Sequence, residues 1–144
     1  MAIREVIFRG KRTDNGKWEC GDLLSPNEFN AIPHIVYIDY LNEYGDIGEI
    51  STPVIPETVG QFTGLVDKNG KRIFEGDIVH CVSKLDSADM VVIFECGQFR
   101  MVISEKDHEY QTNTGYYDIN CFEKEVIGNI HDNPELLEGG EGNG

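Results

Sequence analysis

Closely spaced carboxylates are the side chains of this sequence best suited to chemistry, because converging carboxylates bind hard cations such as Mg²⁺. Alternate residues of a strand share one face, so acidic residues two positions apart can converge. The positions with this spacing are Glu75 with Asp77, and Glu105, Asp107 and Glu109 with His108 among them. A chain with 26 acidic residues also produces such spacings by chance. We therefore interpret the polar run 105–109 as a loop with solvated charge, and a carboxylate-metal-dependent enzyme stays a less favoured alternative.

Cysteines and histidines are the other candidate nucleophiles and metal ligands, and each type occurs four times. They are Cys20, Cys81, Cys96, Cys121, His34, His80, His108 and His131. None of the cysteines forms a CxxC pair, so their spacing gives no support to a metal site. His80 and Cys81 are adjacent, and a strand would point them to opposite faces, which disfavours a Cys–His dyad. We expect the cysteines to be mostly buried, small apolar residues, with no metal and no cofactor.

The familiar catalytic and nucleotide-binding motifs are missing from the sequence. It contains no Walker loop, no dinucleotide fingerprint, no GxSxG elbow and no HExxH helix. The stretch GQFTG at 60–64 resembles a glycine-rich loop, but it lacks the lysine and the helix that phosphate binding requires. We therefore expect no catalytic residues and a protein that is not an enzyme.

The charge balance excludes one class of partner. The chain has 12 basic and 26 acidic residues, which gives a net charge of −14 and a pI near 4.5. A nucleic-acid surface needs clustered lysine and arginine, so direct nucleic-acid binding is not expected. No apolar run is long enough to span a bilayer, and no signal peptide is recognisable. Together with cysteines that form no CxxC pair, this predicts a cytoplasmic protein without a membrane partner.

Basic residues concentrate at the start of the chain. Residues 1–17 hold five basic and two acidic residues, a net of +3, so the rest of the chain carries −17. The basic positions are Arg4, Arg9, Lys11, Arg12 and Lys17. Such a segment could pair with the acidic remainder within one chain or between subunits, although a strand with scattered, solvated charge is the simpler interpretation.

Short β-strands dominate the hydrophobic pattern, and helical periodicity is scarce. The segments rich in β-branched and aromatic residues are 4–10, 34–41, 77–84, 90–95, 98–104 and 125–131. A tight connection at Cys96-Gly97 separates two of these strands. Single helical turns are expected at 122–125 and at 133–138, where Asn133 would cap and Pro134 would occupy the first helical position.

The stretch GLVDKNGKRIFEGDIV, residues 64–79, is explained by backbone geometry without a ligand. Asn69-Gly70 and the earlier Asn15-Gly16 tolerate the positive φ angles of a type I′ turn, a strong hairpin signal. Ile73-Phe74 would then form a short strand, and Gly76-Asp77 would mark a bend into the next one. We interpret the stretch as a hairpin followed by a bend.

Taken together, these signals predict a mainly β protein, a small β-barrel or sandwich with few short helical turns. Pro53 and Pro56 place a boundary between an N-terminal β-rich segment, 1–55, and a C-terminal domain, 56–138. The last residues, 139–144, read as a flexible glycine-rich tail.

Aromatic residues crowd the C-terminal half, at Phe94, Phe99, Tyr110, Tyr116, Tyr117 and Phe122. The simplest interpretation places them in the core. The alternative is an exposed aromatic surface that binds a peptide or a subunit. Since Tyr116 and Tyr117 are neighbours, a strand would point one inward and the other outward.

Three motifs in order resemble the YopX family, a group encoded mainly by phages and prophages. They are REVIFRGKRTDNGKWECGDL at the start, PETVGQFTGLVDKNGKRIFEGDIV at 56–79 and VIGNIHDNPELL at 126–137. The segment 30–55 matches no motif of the family. The resemblance implies that the C-terminal domain is an SH3-type barrel. It implies no activity, cofactor or site residue.

These observations favour a non-catalytic phage or prophage accessory protein that binds a protein partner or assembles with itself in the host cytoplasm. An acidic decoy that mimics DNA and occupies a host nucleic-acid-binding protein is the alternative, because a net charge of −14 would steer a basic partner toward it.

Replacing Gly70 by valine tests the hairpin. A β-branched residue resists positive φ, so Gly70→Val is expected to lower the free energy of unfolding by about 1–3 kcal/mol. Urea unfolding measures the change, with Gly70→Asn as the control because asparagine tolerates positive φ. An unchanged midpoint for Gly70→Val would contradict the assigned turn.

Overall fold

The computed structural model describes residues 4–103 and 116–137. Several positions considered above lie outside these residues: Glu105, Asp107, His108, Glu109, Tyr110 and the tail at 139–144.

The described residues form eleven strands and one 3₁₀ turn, at Pro56–Thr58. The strands are β1 (Phe8–Lys11), β2 (Trp18–Leu24), β3 (His34–Leu41), β4 (Ile47–Pro53), β5 (Gly60–Val66), β6 (Arg72–Phe74), β7 (Asp77–Val82), β8 (Ser87–Glu95), β9 (Gln98–Val102), β10 (Tyr116–Asp118) and β11 (Glu123–Asn129). The chain divides into two compact units, Met1–Phe62 and Thr63–Gly144.

Unit 1 is built on an antiparallel sheet with the strand order β4-β3-β2-β1-β5. Ile35, Val54 and Phe62 are its buried apolar side chains. Gly10 of β1 lies against Val54, where an added Cβ would come within 2.9 Å of the valine Cβ. Only glycine therefore lets β1 pack this closely.

The 3₁₀ turn holds β1 through one side chain. The Lys11 backbone N–H donates to Thr58 Oγ1 at 2.9 Å, and that hydroxyl donates to the Ile55 carbonyl at 2.6 Å. Thr58 is buried, so a donor and an acceptor of the backbone are both satisfied away from water.

Unit 2 contains a five-stranded antiparallel sheet with the order β10-β9-β8-β7-β11. β5 continues past Phe62 into this unit, where β6 lies next to it. Both faces of the sheet carry buried residues, because Ile78 and Val79 are consecutive and buried, as are residues 90–92 and 101–102. The buried cluster consists of Ile73, Val79, Cys81, Met90, Val92, Met101 and Ile119.

The prediction of a mainly β protein is confirmed. The described sheets are open and do not close into a barrel, so the SH3-type topology implied by the family resemblance is not confirmed. The proposed domain bounds, 1–55, 56–138 and 139–144, stay a prediction.

The assignment of type I′ turns to the two Asn-Gly dipeptides is wrong. That turn needs positive φ at both central residues, but only Gly16 and Gly70, not the preceding asparagines, have positive φ. At the second site a three-residue loop links Asp67 to Lys71, with the Asp67 N–H donating to the Lys71 carbonyl at 2.7 Å. Gly70, at φ +83°, occupies the left-handed position of that loop.

The two-residue hairpin with this geometry lies between β8 and β9 instead. Cys96 and Gly97 have φ of 54° and 77°, and the flanking Glu95 and Gln98 pair across the strands. This is the dihedral pattern of a type I′ turn. A cysteine thus stands where asparagine would be preferred, because asparagine tolerates the left-handed region better.

Helical turns play a small part among the described residues. The helical turn expected at 122–125 is wrong, because Phe122 has φ +67° and β11 begins at Glu123. The turn expected from 133 is present, with helical residues at 135–137. No helix in the described ranges has both the length and the apolar character needed to cross a membrane.

The turn at Cys96-Gly97 predicts opposite effects for two substitutions. Cys96→Asn is expected to leave stability unchanged or to raise it, whereas Cys96→Val should lower the free energy of unfolding by about 1–3 kcal/mol. Urea unfolding in reducing buffer measures both, with Cys96→Ala as the reference that removes the thiol alone. Equal midpoints for the asparagine and valine variants would exclude the left-handed conformation.

Candidate functional site

The charged residues of the 64–79 stretch hold the fold of unit 2 together. The Asp67 side chain is buried, and its Oδ1 accepts the N–H groups of Asn69 at 2.8 Å and Lys71 at 2.9 Å. Its Oδ2 accepts the N–H of Val126, 59 positions away in β11, at 2.9 Å. One carboxylate thus shapes the β5–β6 turn and fastens it to an edge strand.

Neighbouring residues strengthen the same junction. The Lys68 N–H donates to the Lys124 carbonyl at 3.1 Å, and Asn69 Nδ2 donates to Glu125 Oε2 at 3.1 Å. The outer edge of β11 is therefore occupied by the turn.

Burial and hydrogen bonding act in opposite directions on Asp67. Burial by itself would raise the pKa of the carboxyl, but the backbone N–H groups of Val126, Lys71 and Asn69 stabilise the charged form. The hydrogen bonds prevail, and the pKa of Asp67 lies below its ordinary value.

Asp77 serves the backbone in the same way. Its Oδ2 accepts the Phe74 N–H at 2.7 Å in a buried position. Glu75 is half-buried beside it. No group of three or more His, Cys, Asp or Glu residues that could hold a metal occurs in the described ranges. For Asp77, the interpretation as a residue that shapes the bend therefore rests on a specific hydrogen bond to the backbone.

The described histidines and cysteines are spread over the molecule. His80 Nδ1 lies 2.7 Å from Asp89 Oδ1 on one face of the second sheet, while Cys81 is buried on the other, as expected for neighbours in a strand. Burial raises the pKa of the Cys81 thiol to about 11, which disfavours a nucleophilic thiolate. The expectation that cysteines are mostly buried is wrong for Cys20 and Cys96, which are exposed.

The remaining histidines have local partners. His34 Nδ1 lies 3.0 Å from the Ile32 carbonyl and 3.3 Å from Asn30 Nδ2. The His131 N–H donates to Asn129 Oδ1 at 3.0 Å, inside the turn that follows β11.

The basic residues of the N-terminal segment interact within unit 1. Arg12 donates through Nε and Nη2 to both carboxylate oxygens of Asp14, at 2.9 and 2.8 Å, and through Nη1 to Glu19 at 3.2 Å. The hydrogen bond from Arg12 lowers the pKa of Asp14. Arg9 and Lys11 lie over the Trp18 ring, 4.6 and 5.8 Å from its centroid. The contacts of Arg9, Lys11 and Arg12 are therefore local, and pairing of the basic segment with the acidic remainder of the chain stays a prediction.

A small pocket opens in unit 2 beside the core, with a volume of about 130 Å³. Tyr117 and Phe122 contact each other edge to face in its wall, with their centroids 5.2 Å apart. Both rings pack against the buried cluster, which confirms the core interpretation for this pair. Phe94 is 51% exposed and packs edge to face on Phe99 at the tip of the β8–β9 hairpin.

Five large apolar side chains are exposed on the outer part of the β3–β4 hairpin, residues 38–50, called here the β3–β4 arm. Tyr44 is 82% and Leu41 69% exposed. Other exposed apolar residues of the arm are Ile38, Tyr40 and Ile47. The sequence shows the large apolar residues of this arm as a run at 35–47. Their exposure could not be predicted from it, because the sequence does not show what packs against the strand.

The tip of the arm is ordered by one asparagine. Asn42 Oδ1 accepts the N–H groups of Tyr44 at 3.0 Å and Asp46 at 2.9 Å, and its backbone N–H donates to the Asp46 carbonyl at 3.0 Å. Tyr40 lies flat on Gly48, where no Cβ would fit. The apolar side chains of the arm are therefore displayed by a fixed backbone.

The arm is also strongly acidic. Residues 34–53 contain Asp39, Glu43, Asp46 and Glu49 and no lysine or arginine. Indeed, no basic residue lies between Lys17 and Lys68. The arm thus combines exposed apolar area with a single sign of charge.

Comparisons with known proteins identify a family and a similar solved structure. A family model described as YopX protein matches residues 7–138. The crystal structure of protein EF1440 from Enterococcus faecalis is similar to this chain, with a TM-score of 0.59 and 25% sequence identity, over 92% of this chain and 98% of that one. No protein with a curated description matches in sequence. Neither matching description names an activity or a ligand.

The Asp67 junction predicts a stability effect that depends on pH. Asp67→Asn leaves one oxygen for three N–H donors, so the free energy of unfolding at pH 7 should fall by about 1.5–3 kcal/mol. Because the folded-state pKa of Asp67 is lowered, its contribution is present above the ordinary pKa of about 4 and is lost as the pH falls through the folded-state value.

Urea unfolding of both proteins between pH 7 and pH 2 checks this prediction. The two stabilities should converge in the acid range. Asp86→Asn, an exposed position in the same unit, is the matched control. A constant difference across that range would show that the charge of Asp67 contributes nothing.

Proposed function

The chain belongs to the YopX family, and from that premise together with the surface of unit 1 we propose that it is a non-catalytic phage or prophage accessory protein that binds a protein partner through the β3–β4 arm. The binding takes place in the host cytoplasm. The observation that carries the proposal is the exposure of five large apolar side chains on one ordered hairpin.

Exposed apolar area of this kind supports binding to a protein. Contiguous exposed apolar patches are uncommon on monomers and typically mark interaction sites. The arm carries two tyrosines, a residue type enriched at interfaces and in binding hot spots. Its fixed turn also lowers the entropy cost of binding, since the backbone is ordered before the partner arrives.

The acidic decoy is a second candidate, favoured by the absence of basic residues between Lys17 and Lys68. Its affinity would come from charge and would be screened by salt. A DNA mimic has no need of Leu41 and Tyr44 in solvent, and for this reason we rank it below a partner that packs on the arm.

A double substitution at the tip tests the proposal. Leu41→Ser with Tyr44→Ser removes two exposed side chains, so melting should change little while partner binding falls at least about tenfold, a loss of about 1.4 kcal/mol. The measurement is a tagged capture from host lysate, quantified by mass spectrometry, at about 0.15 M salt and at about 1 M salt, where the Debye length is roughly 3 Å.

Leu85→Ser and Phe29→Ser are matched controls, because these side chains are 97% and 89% exposed but lie outside the arm. A protein lost only with the tip variant supports the arm. Capture that disappears in high salt and ignores the tip substitutions favours the decoy. An identical set of proteins from every variant would contradict arm-mediated binding.

A further inference from the structure

The β3–β4 arm carries, beside its apolar side chains, a sheet edge that pairs with no further strand among the described residues. β4 stands last in the strand order of its sheet. Its end is occupied, because the Thr13 N–H donates to the Pro53 carbonyl at 3.1 Å and Val54 bridges to Arg12. Residues 47–51 of β4 lie on the other side of these contacts, toward the tip of the arm.

The register identifies the backbone groups of this edge. Val54 donates to the Pro33 carbonyl at 3.0 Å, and hydrogen-bonded pairs alternate along an antiparallel ladder. The paired residues Thr52 and Ile50 therefore direct their N–H groups toward β3. Those of Ser51 and Glu49 point away from it, and both residues are exposed.

The edge lacks two of the usual protections against strand pairing, lysine and proline. Exposed edges are commonly blunted by lysine or proline. Between Ile47 and Thr52 neither residue type occurs, and Glu49 supplies the single charge. Glu49 shares its face of the sheet with Ile47 and with Ile38, its partner in β3.

These features define the chemistry of a matching strand. A residue opposite Glu49 has to neutralise a carboxylate and cover isoleucine, which a lysine or arginine with its long apolar stem can do. A second copy fits poorly, because a two-fold axis at Glu49 would place two glutamates opposite each other, and like charges at such positions destabilise a sheet. The four acidic residues of each arm would also repel.

Resting on the proposed function, we infer that the partner adds a β-strand to the edge of β4 at residues 47–51, and that this strand carries basic side chains facing Glu49. Main-chain hydrogen bonds to Glu49 and Ser51 align it, while the apolar side chains of the arm contribute the buried area.

The probe is a short fluorescein-labelled peptide in which lysine and valine alternate. Two control peptides separate the contribution of side-chain charge from that of main-chain hydrogen bonds. One has glutamate in place of lysine, and the other carries N-methyl groups on alternate backbone nitrogens, which removes N–H donors. Fluorescence anisotropy with the full chain is expected to show binding at least about tenfold tighter for the lysine peptide than for either control peptide.

Glu49→Lys should reverse the preference between the lysine and glutamate peptides, whereas Glu28→Lys, an exposed loop position of the same unit, should leave it intact. Amide hydrogen exchange gives the position. Exchange at Glu49 and Ser51 should slow when the lysine peptide is added, while Ile50 and Thr52, already bonded to β3, should change little.

Equal affinity for the lysine and N-methyl peptides, no measurable binding of the lysine peptide, or protection elsewhere in the chain would overturn strand addition. These outcomes are separable from failure of the proposed function. Partner capture that still depends on Leu41 and Tyr44 would keep the arm as the binding surface and remove only the strand.

Discussion

One buried carboxylate holds unit 2 in its arrangement. Asp67 accepts three backbone N–H groups, two from its own turn and one from β11. A charged acceptor is well suited to this position, because three donors converge where burial leaves no water to satisfy them. The turn and the edge strand are therefore fixed together, although they are far apart in sequence.

Asp77 stabilises a bend of the backbone in a similar way. It accepts the N–H of Phe74 at the bend between β6 and β7. In the 64–79 stretch, the carboxylates of Asp67 and Asp77 thus accept hydrogen bonds from backbone N–H groups. For that reason the stretch is informative about family and fold, while the surface offering binding chemistry lies in another segment.

The two units treat their sheet edges differently. In unit 2 the outer edge of β11 is covered by the Asp67 turn, with Lys68 and Val126 supplying the hydrogen bonds. In the described part of unit 1 the edge of β4 is closed near Pro53, while Ile47, Glu49 and Ser51 are exposed. Because an uncovered edge is a template for pairing, the contrast identifies the part of the molecule best suited to a partner strand.

The sequence by itself determined the strands whose residues carry strong β preference. The strand at 34–41 and the one predicted at 77–84, which ends at Val82, were recognised because β-branched and aromatic residues are frequent in them. β2, β4, β5 and β10 were missed. In two of them Gly21, Gly48 and Glu49 are poor strand formers, and they are extended through pairing, Gly21 with β1 and the other two with β3. The family could also be recognised from the sequence, because its motifs contain residues that form turns locally.

Tertiary structure decided which side chains are exposed to solvent. Composition could not tell whether the acidic residues near 67–77 were solvated, since only folding brings the Val126 N–H to Asp67. Nor could it tell that Leu41 and Tyr44 lie in solvent, because apolar periodicity in a strand does not reveal whether a neighbouring layer covers it. Pairing and burial depend on contacts between distant residues, so local preference fixes the elements and the fold assigns their exposed faces.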